Sequence, residues 1–430
     1  MLQGGAKMTL DQFEEMMDSC VRCSKCKYIP QIAIKSQRFS HICPSIQFYN
    51  FHAYSGGGRM IMANAYHKGR LEWTPEMLDI LYQCTNCGGC EVSCKWVYDF
   101  EPNEVIHELR VQAVESGAGP MPAHKKYIEL VERNKNPYGE PAEKRPDWLT
   151  DDIVVDESSS TLYFIGCTAA YRREEIALST AKVLNAANEG FSILGSDEMC
   201  CGSPVYRVGA REKAIDIMKR NVELFKERGV KRIITSCAGC FNMLKTEYPR
   251  FVEHEFEVIH TSQLIDKLLK EGRLKPAREV PLKVTYHDPC HLGRMSEPYE
   301  PYEGEKVELL SQVYIWDPPK PLRQGTHGVY DAPRSVLEQI PGVELIEMER
   351  IREYSYCCGA GAGCKSAYPD FALFAANERV EEAEATGAET LVSACPFCKT
   401  NMQDAIRTRE SSMDFLDLTQ LVLKSLEGGE

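Results

Sequence analysis

The sequence predicts an α+β, multi-domain protein, in which a mainly helical, cysteine-rich N-terminal domain precedes two copies of an α/β domain. Three observations carry that expectation. Closely spaced cysteines open the chain, at Cys20, Cys23, Cys26 and again at Cys84, Cys87, Cys90 and Cys94. A five-cysteine scheme is then written twice, as Cys167, Cys200, Cys201, Cys237, Cys240 and as Cys290, Cys357, Cys358, Cys395, Cys398. Short apolar runs lead into these cysteines in both copies: Leu162–Ile165 and Arg232–Ser236, then Val284–Tyr286 and Thr390–Val392. The Cys-Cys pair and the CxxC are 35 residues apart in one copy and 36 in the other, the mark of an internal repeat. The first gaps differ, 32 against 66.

Composition narrows the class. At 430 residues the chain is long enough for two or three domains with real cores. A net charge of −13 argues against nucleic acid, which wants clustered Lys and Arg. An acidic surface favours solubility and a basic partner. The segment Met1–Cys20 has no apolar signal region, and no run approaches a membrane span. A cytoplasmic chain with 19 cysteines is expected to bind metal rather than form disulfides. The expected host is an anaerobe, because exposed clusters oxidise readily.

Taken in order, residues 9–19 read as a short helix capped by Thr9, with Leu10, Phe13 and Met17 on one face. That face is expected to pack on the first domain, since its polar side lacks the basic residues of a membrane-surface helix. The run Cys84-x2-Cys87-x2-Cys90-x3-Cys94 nearly matches the spacing of bacterial ferredoxins. Three thiolates on one turn wrap three corners of a cubane, and the remote fourth cysteine closes the other cluster. By that logic Cys20, Cys23, Cys26 and Cys94 hold one [4Fe–4S] cluster, and Cys84, Cys87, Cys90 and Cys43 the other. Lys95 stands where the ferredoxin pattern has proline, and Cys26 to Cys43 is stretched. A tetrahedral zinc site suits three x2-spaced cysteines less well.

Residues 106–155, rich in proline, read as an ordered linker, with a helix near Val105–Val114. The repeats follow at 156–278 and 279–430, after a first domain at 1–105. Cysteines placed where strands run into helix N-termini suit metal binding, because ligands gather at the carboxyl ends of strands and helix N-termini favour thiolate. Gly202 and Gly359 permit a tight turn and amide donation to cluster sulfur. Adjacent cysteines bridge only with strain, so both thiolates of each pair are expected to ligate one metal assembly. Five thiolates exceed the corners of a cubane. Residues 295–326 read as an insertion, either a lid or docking surface or a solvated loop.

With these motifs, including His287-Asp-Pro-Cys290-His-Leu-Gly-Arg294 and Ser393-Ala-Cys-Pro-Phe-Cys398, the chain resembles the D-type subunit of heterodisulfide reductase and its CCG domains. The resemblance covers nearly the whole chain. It implies a noncubane [4Fe–4S] cluster in each five-cysteine motif, beside the two cubanes, with Cys200, Cys201, Cys357 and Cys358 central to splitting a disulfide. It also implies redox partner subunits (a flavoprotein, a ferredoxin or a membrane cytochrome) and a position at the inner face of the membrane reached through one of them. Relatives with this architecture include pure electron-transfer subunits of larger anaerobic complexes, which is the alternative function. No flavin or nicotinamide site is evident; Gly359, Gly361 and Gly363 belong to the CCG motif. His291 is a candidate proton donor to a leaving thiolate, or a hydrogen-bonding support of the turn. Cys364 is expected near the second five-cysteine motif, as a bystander or a reactive thiol.

Overall fold

Short apolar runs that bury both faces favour parallel strands covered by helices, and the repeats are built this way. The computed structural model describes residues 9–297, 304–310, 313–319 and 324–426. In the first repeat, β1 (Thr161–Tyr163), β2 (Arg232–Thr235) and β3 (Glu257–His260) form a parallel sheet in that order. In the second, β4 (Leu282–His287), β7 (Val343–Leu345), β8 (Thr390–Ser393) and β9 (Asp414–Asp417) form a parallel sheet ordered β7-β4-β8-β9. The first repeat has a one-residue bridge, Leu162 to Ser192, where the second has β7.

The two repeats pack as an isologous pair. Helix Glu174–Ala186 of the first lies on Leu418–Ser425 of the second, and Thr261–Lys270 of the first lies on Asp331–Glu338 of the second. Ser179 and Thr419 share a hydroxyl hydrogen bond of 2.9 Å in one contact, and Ser335 donates to Asp266 at 2.6 Å in the other. Equivalent elements therefore meet across an approximate two-fold axis, as in a homodimer.

The N-terminal domain is helical, and it docks on both repeats. On the second repeat, Arg38 makes paired bonds to Glu378 at 2.8 and 2.9 Å and Arg350 donates to the His41 carbonyl at 3.0 Å; on the first, the Tyr82 hydroxyl donates to the Val208 carbonyl at 3.1 Å. Residues 9–19 form a 3-10 turn, Leu10–Phe13, running into helix Glu14–Asp18. Leu10 and Met17 are buried as expected, but the Thr9 hydroxyl donates to the Asp11 carboxylate (2.7 Å) and caps no backbone amide.

The proline-rich stretch holds two full helices, Pro102–Glu115 and Pro122–Asn134. Pro102 and Pro122 sit in the first turn of each, where a missing N–H costs nothing. These helices are structural walls: Val105, Ile106 and Leu109 are buried, and Arg110 and His107 bond to the Arg207 and Tyr206 carbonyls (2.8 and 2.9 Å).

The insertion at 295–326 carries an antiparallel hairpin, β5 (Glu305–Leu310) with β6 (Val313–Asp317), exposing Val307, Leu309 and Ile315. Residues 298–303, 311–312 and 320–323 of it lie outside the described residues. Its neck is clamped by the Glu297 carboxylate, which accepts from Gly325 N at 2.5 Å and His327 N at 3.2 Å.

Candidate metal centres

Cysteines stand at the strand-to-helix junctions. Cys237 follows β2 and Cys395 follows β8, each as the N-cap of the next helix, while Cys167 opens the helix after β1. All ten cysteines of the two motifs line one cavity of about 760 Å³. Their thiols make a continuous chain of neighbours. In the first motif the order is Cys167, Cys200, Cys201, Cys240, Cys237. In the second it is Cys290, Cys357, Cys358, Cys398, Cys395. The order is the same, motif position for motif position. The two chains of thiols join at equivalent residues, Cys237 and Cys395.

The closeness of neighbouring thiols makes some ionise before others. Cys200 first, then Cys240, bring the Cys201 thiol down to about 6 despite burial. Cys357 does the same for Cys358, and Cys237 for Cys395. Each motif thus holds a readily ionised thiolate, the state a metal takes.

The N-terminal cysteines sort into two further sets. Cys94 faces Cys26, Cys23 and Cys20, while Cys90 and Cys43 both face Cys84 and Cys87. Each remote cysteine, Cys94 and Cys43, stands with the three-cysteine run distant from it in sequence. The sets abut at Gly56, where a Cβ would lie 2.8 Å from Cys90 Cβ and 3.5 Å from Cys26 Cβ. Only glycine allows that approach. Gly57 N also donates to Cys26 Sγ at 3.3 Å. On the other side, Cys87 stands beside Cys357, so the inner N-terminal set adjoins the second motif.

Backbone amides and buried cations surround the sulfurs. Gly202 N donates to Cys200 Sγ and Gly359 N to Cys357 Sγ, both at 3.4 Å, with positive φ at both glycines. Arg145 Nη2 lies 3.5 Å from Cys167 Sγ, and Arg145 Nη1 is paired with buried Glu198 at 2.6 Å. Glu198 in turn accepts from Ile165 N and Gly166 N, fixing the turn into Cys167. Arg294 donates to the carbonyls of Cys87 (2.7 Å), Glu353 (2.8 Å) and Ser355 (2.6 Å), and its charge faces Cys87, Cys290 and Cys357.

The histidines behave differently from one another. Arg379 Nε donates to His287 Nδ1 at 3.0 Å, so the ring proton sits on Nε2, facing Cys358 and Cys398. That Nε2–H is buried close to the two sulfurs without a hydrogen-bond partner of its own. His291 lines the cavity with no hydrogen-bond partner at Nε2. Burial first, then the Arg207 charge, hold its imidazole down to about 4, so it is neutral near pH 7. Cys364 is fully buried, with Sγ 3.5 Å from the Tyr82 carbonyl. Its neighbouring thiols are Cys84 and Cys87, and burial pushes it up to about 12. It belongs beside the inner N-terminal set, because helix Cys364–Ala367 packs on Pro122–Asn134 rather than on the second motif.

Arg145, Glu198 and Gly56-Gly57 were not singled out by the sequence. The triple glycine Gly56–Gly58 was the available signal, since glycines opening a helix are costly unless something approaches closely.

Comparison with known proteins agrees with this geometry. A 4Fe-4S dicluster domain matches residues 16–96, and a cysteine-rich CCG domain matches twice, at 161–245 and 320–403. The second match begins after Cys290, which β4 and the turn after it nonetheless bring beside Cys357. Fold and sites together define an iron–sulfur protein of the CCG class. The chain is 34% identical over 418 residues to the D-type subunit of the dihydromethanophenazine:CoB–CoM heterodisulfide reductase of Methanosarcina mazei, covering 95% of this chain and 94% of the relative. It is 33% identical to the corresponding subunit of Methanosarcina barkeri, over 95% and 94%. It is 27% identical to an EtfAB:quinone oxidoreductase of Syntrophomonas wolfei, covering 96% of this chain and 58% of the relative. The chain belongs to the family of heterodisulfide reductase D-type subunits and is an iron–sulfur oxidoreductase subunit of that type. No helix among the described residues is long and apolar enough to cross a membrane.

Proposed function

We propose that the chain divides at 1–105, 106–155, 156–278 and 279–430, and that eighteen of its cysteines hold four clusters. Cys20, Cys23, Cys26 and Cys94 would hold one cubane, and Cys43, Cys84, Cys87 and Cys90 the other. Each five-cysteine motif would hold a noncubane [4Fe–4S] cluster, for which five thiols in one pocket are a fitting donor set. When bound, these clusters supply one-electron carriers and, in the shared cavity, iron that takes up substrate sulfur.

The residues of this chain do the rest. The amides of Gly202 and Gly359 and the charges of Arg145 and Arg294 offset negative charge on the ligating sulfurs. The Nε2–H of His287 lies close to Cys358 and Cys398, and the neutral ring of His291 lines the cavity. Lys126, Arg172 and Lys365 stand around the cavity, where they suit a disulfide with anionic tails. The supporting observation is the Cys237–Cys395 contact. It brings the two motifs into one cavity, as reduction of a disulfide by two facing centres requires. A pure conduit needs no such shared space. Electrons would come from a partner subunit, such as a flavoprotein, a ferredoxin or a membrane cytochrome, on the cytoplasmic side.

The test is EPR of the oxidised, anaerobically purified protein with and without a small thiol, beside an iron count of about 16 per chain. A paramagnetic signal that needs thiol, and that is lost in Cys357→Ser or Cys200→Ser with a matching loss of iron, is the expected result. Full iron loading with no thiol-dependent signal would sink the disulfide chemistry.

A further inference from the structure

One face of the molecule has the opposite sign to the rest of the chain. Residues 19–71 contain Arg22, Lys25, Lys27, Lys35, Arg38, Arg59, Lys68 and Arg70 and no Asp or Glu, in a protein with 50 basic and 63 acidic residues. Part of that charge is used internally. Arg59 is buried, Arg38 pairs with Glu378 and Glu381, and Lys68 pairs with Glu14 and with Asp18. Arg22, Lys25 and Lys27 have no carboxylate partner among the described residues, and Arg22 and Lys25 are exposed. Arg22 and Lys27 stand near one ring, that of His52, whose imidazole is lowered first by burial and then by their charges.

The same face exposes apolar side chains and one thiol. Val21 is 61% and Phe51 64% exposed, flanking the cations in sequence and at His52. Cys23 is the one exposed cysteine of the nineteen. It belongs to the outer N-terminal set, which abuts the inner set at Gly56, between Cys26 and Cys90, and the inner set meets the cavity through Cys87 beside Cys357. As a member of the outer set, Cys23 would bring the outer cluster to the surface, where a redox partner can reach it.

We propose that Val21, Arg22, Cys23, Lys25, Lys27 and Phe51 form the docking surface of a small acidic one-electron carrier protein, through which electrons enter the chain. The proposal rests on the reading that Cys20, Cys23, Cys26 and Cys94 hold a cluster. Charge of opposite sign steers such a carrier onto the face, while Val21 and Phe51 give the encounter an apolar centre. Each encounter oxidises the carrier by one electron and reduces the clusters by one, with no bond made or broken. A membrane surface is the less suitable occupant. Residues 20–24 lie in no helix, so the broad apolar face of an interfacial helix is missing.

The test uses the full-length, cluster-loaded protein. Its reduction is followed by stopped flow with a reduced, strongly acidic ferredoxin and separately with photoreduced deazaflavin, a small reductant that needs no docking. The ferredoxin rate constant is expected to fall about tenfold or more between low and high salt. A triple variant, Arg22→Gln with Lys25→Gln and Lys27→Gln, is expected to lower it about as much at low salt, with the deazaflavin rate and iron content unchanged. A ferredoxin rate indifferent to both salt and the variant overturns the proposal. So does binding of the protein to phosphatidylglycerol vesicles that depends on these three residues while ferredoxin reduction does not. Clusters that accept no electron from deazaflavin either would overturn the underlying reading of the cysteines as well.

Discussion

Gly359→Ala is expected to strip the second five-cysteine motif of its iron, while Gly202→Ala leaves the first motif filled. The two glycines hold equivalent places and similar left-handed conformations, φ +87° and +85°. An alanine in that region costs about 1–2 kcal/mol at either site. What separates them is the space around the missing Cβ. At Gly202 it would meet Ile217 Cγ2 at 3.4 Å, an ordinary contact. At Gly359 it would meet the Ala372 carbonyl oxygen at 2.5 Å and Ala375 Cβ at 2.6 Å, and neither atom can turn aside. Helix Pro369–Glu384 must retreat, adding roughly 1–3 kcal/mol and carrying Gly359 N away from Cys357 Sγ. Iron per chain, with the thiol-dependent EPR signal, reads the difference. Equal losses in the two variants would mean that the turn conformation, not the clash, governs assembly.

Arg294→Met is expected to destabilise the protein by about 3–5 kcal/mol and to uncouple the N-terminal domain from the second motif. The guanidinium is buried and satisfies three carbonyls, those of Cys87, Glu353 and Ser355. Methionine fills the space but leaves those acceptors unpaired, at about 1–3 kcal/mol each with partial relaxation. It also removes the positive charge facing Cys87, Cys290 and Cys357. Arg294→Lys keeps the charge but not the planar fork that reaches three oxygens, so it should recover part of the loss. Thermal unfolding reads the first effect. The rate at which electrons placed on the N-terminal clusters reach the cavity reads the second. An unfolding midpoint equal to that of the unaltered protein would refute the account.

Much of this was legible in the sequence, for a physical reason. Cluster ligands that come from one turn must be close in sequence, so Cys84–Cys90 and the CxxC pairs advertise themselves. Parallel strands buried on both faces also leave short apolar runs, as at Ile233-Ile234 and Leu391-Val392. Contacts made across long separations leave no such trace. Nothing local to Arg145 ties it to Cys167, and nothing near Cys237 names Cys395 as its neighbour. Cys364 misled for the same reason. Its closeness in sequence to Cys358 suggested the second motif, while the packing of its short helix turns it toward Cys84. The proline-rich stretch read as a linker because proline breaks helices in their middle. Here Pro102 and Pro122 begin them.

The likeness of the repeats stops three residues before the first cysteine of each motif. Phe164 occupies that place in the first repeat and His287 in the second, where Arg379 and Glu382 fix its tautomer. Behind the first motif thus stands a buried hydrocarbon ring, and behind the second a buried imidazole close to the sulfurs of Cys358 and Cys398. The two sets of sulfurs, alike in spacing, therefore sit in unlike surroundings. Two halves built on one plan are in this way made chemically unequal.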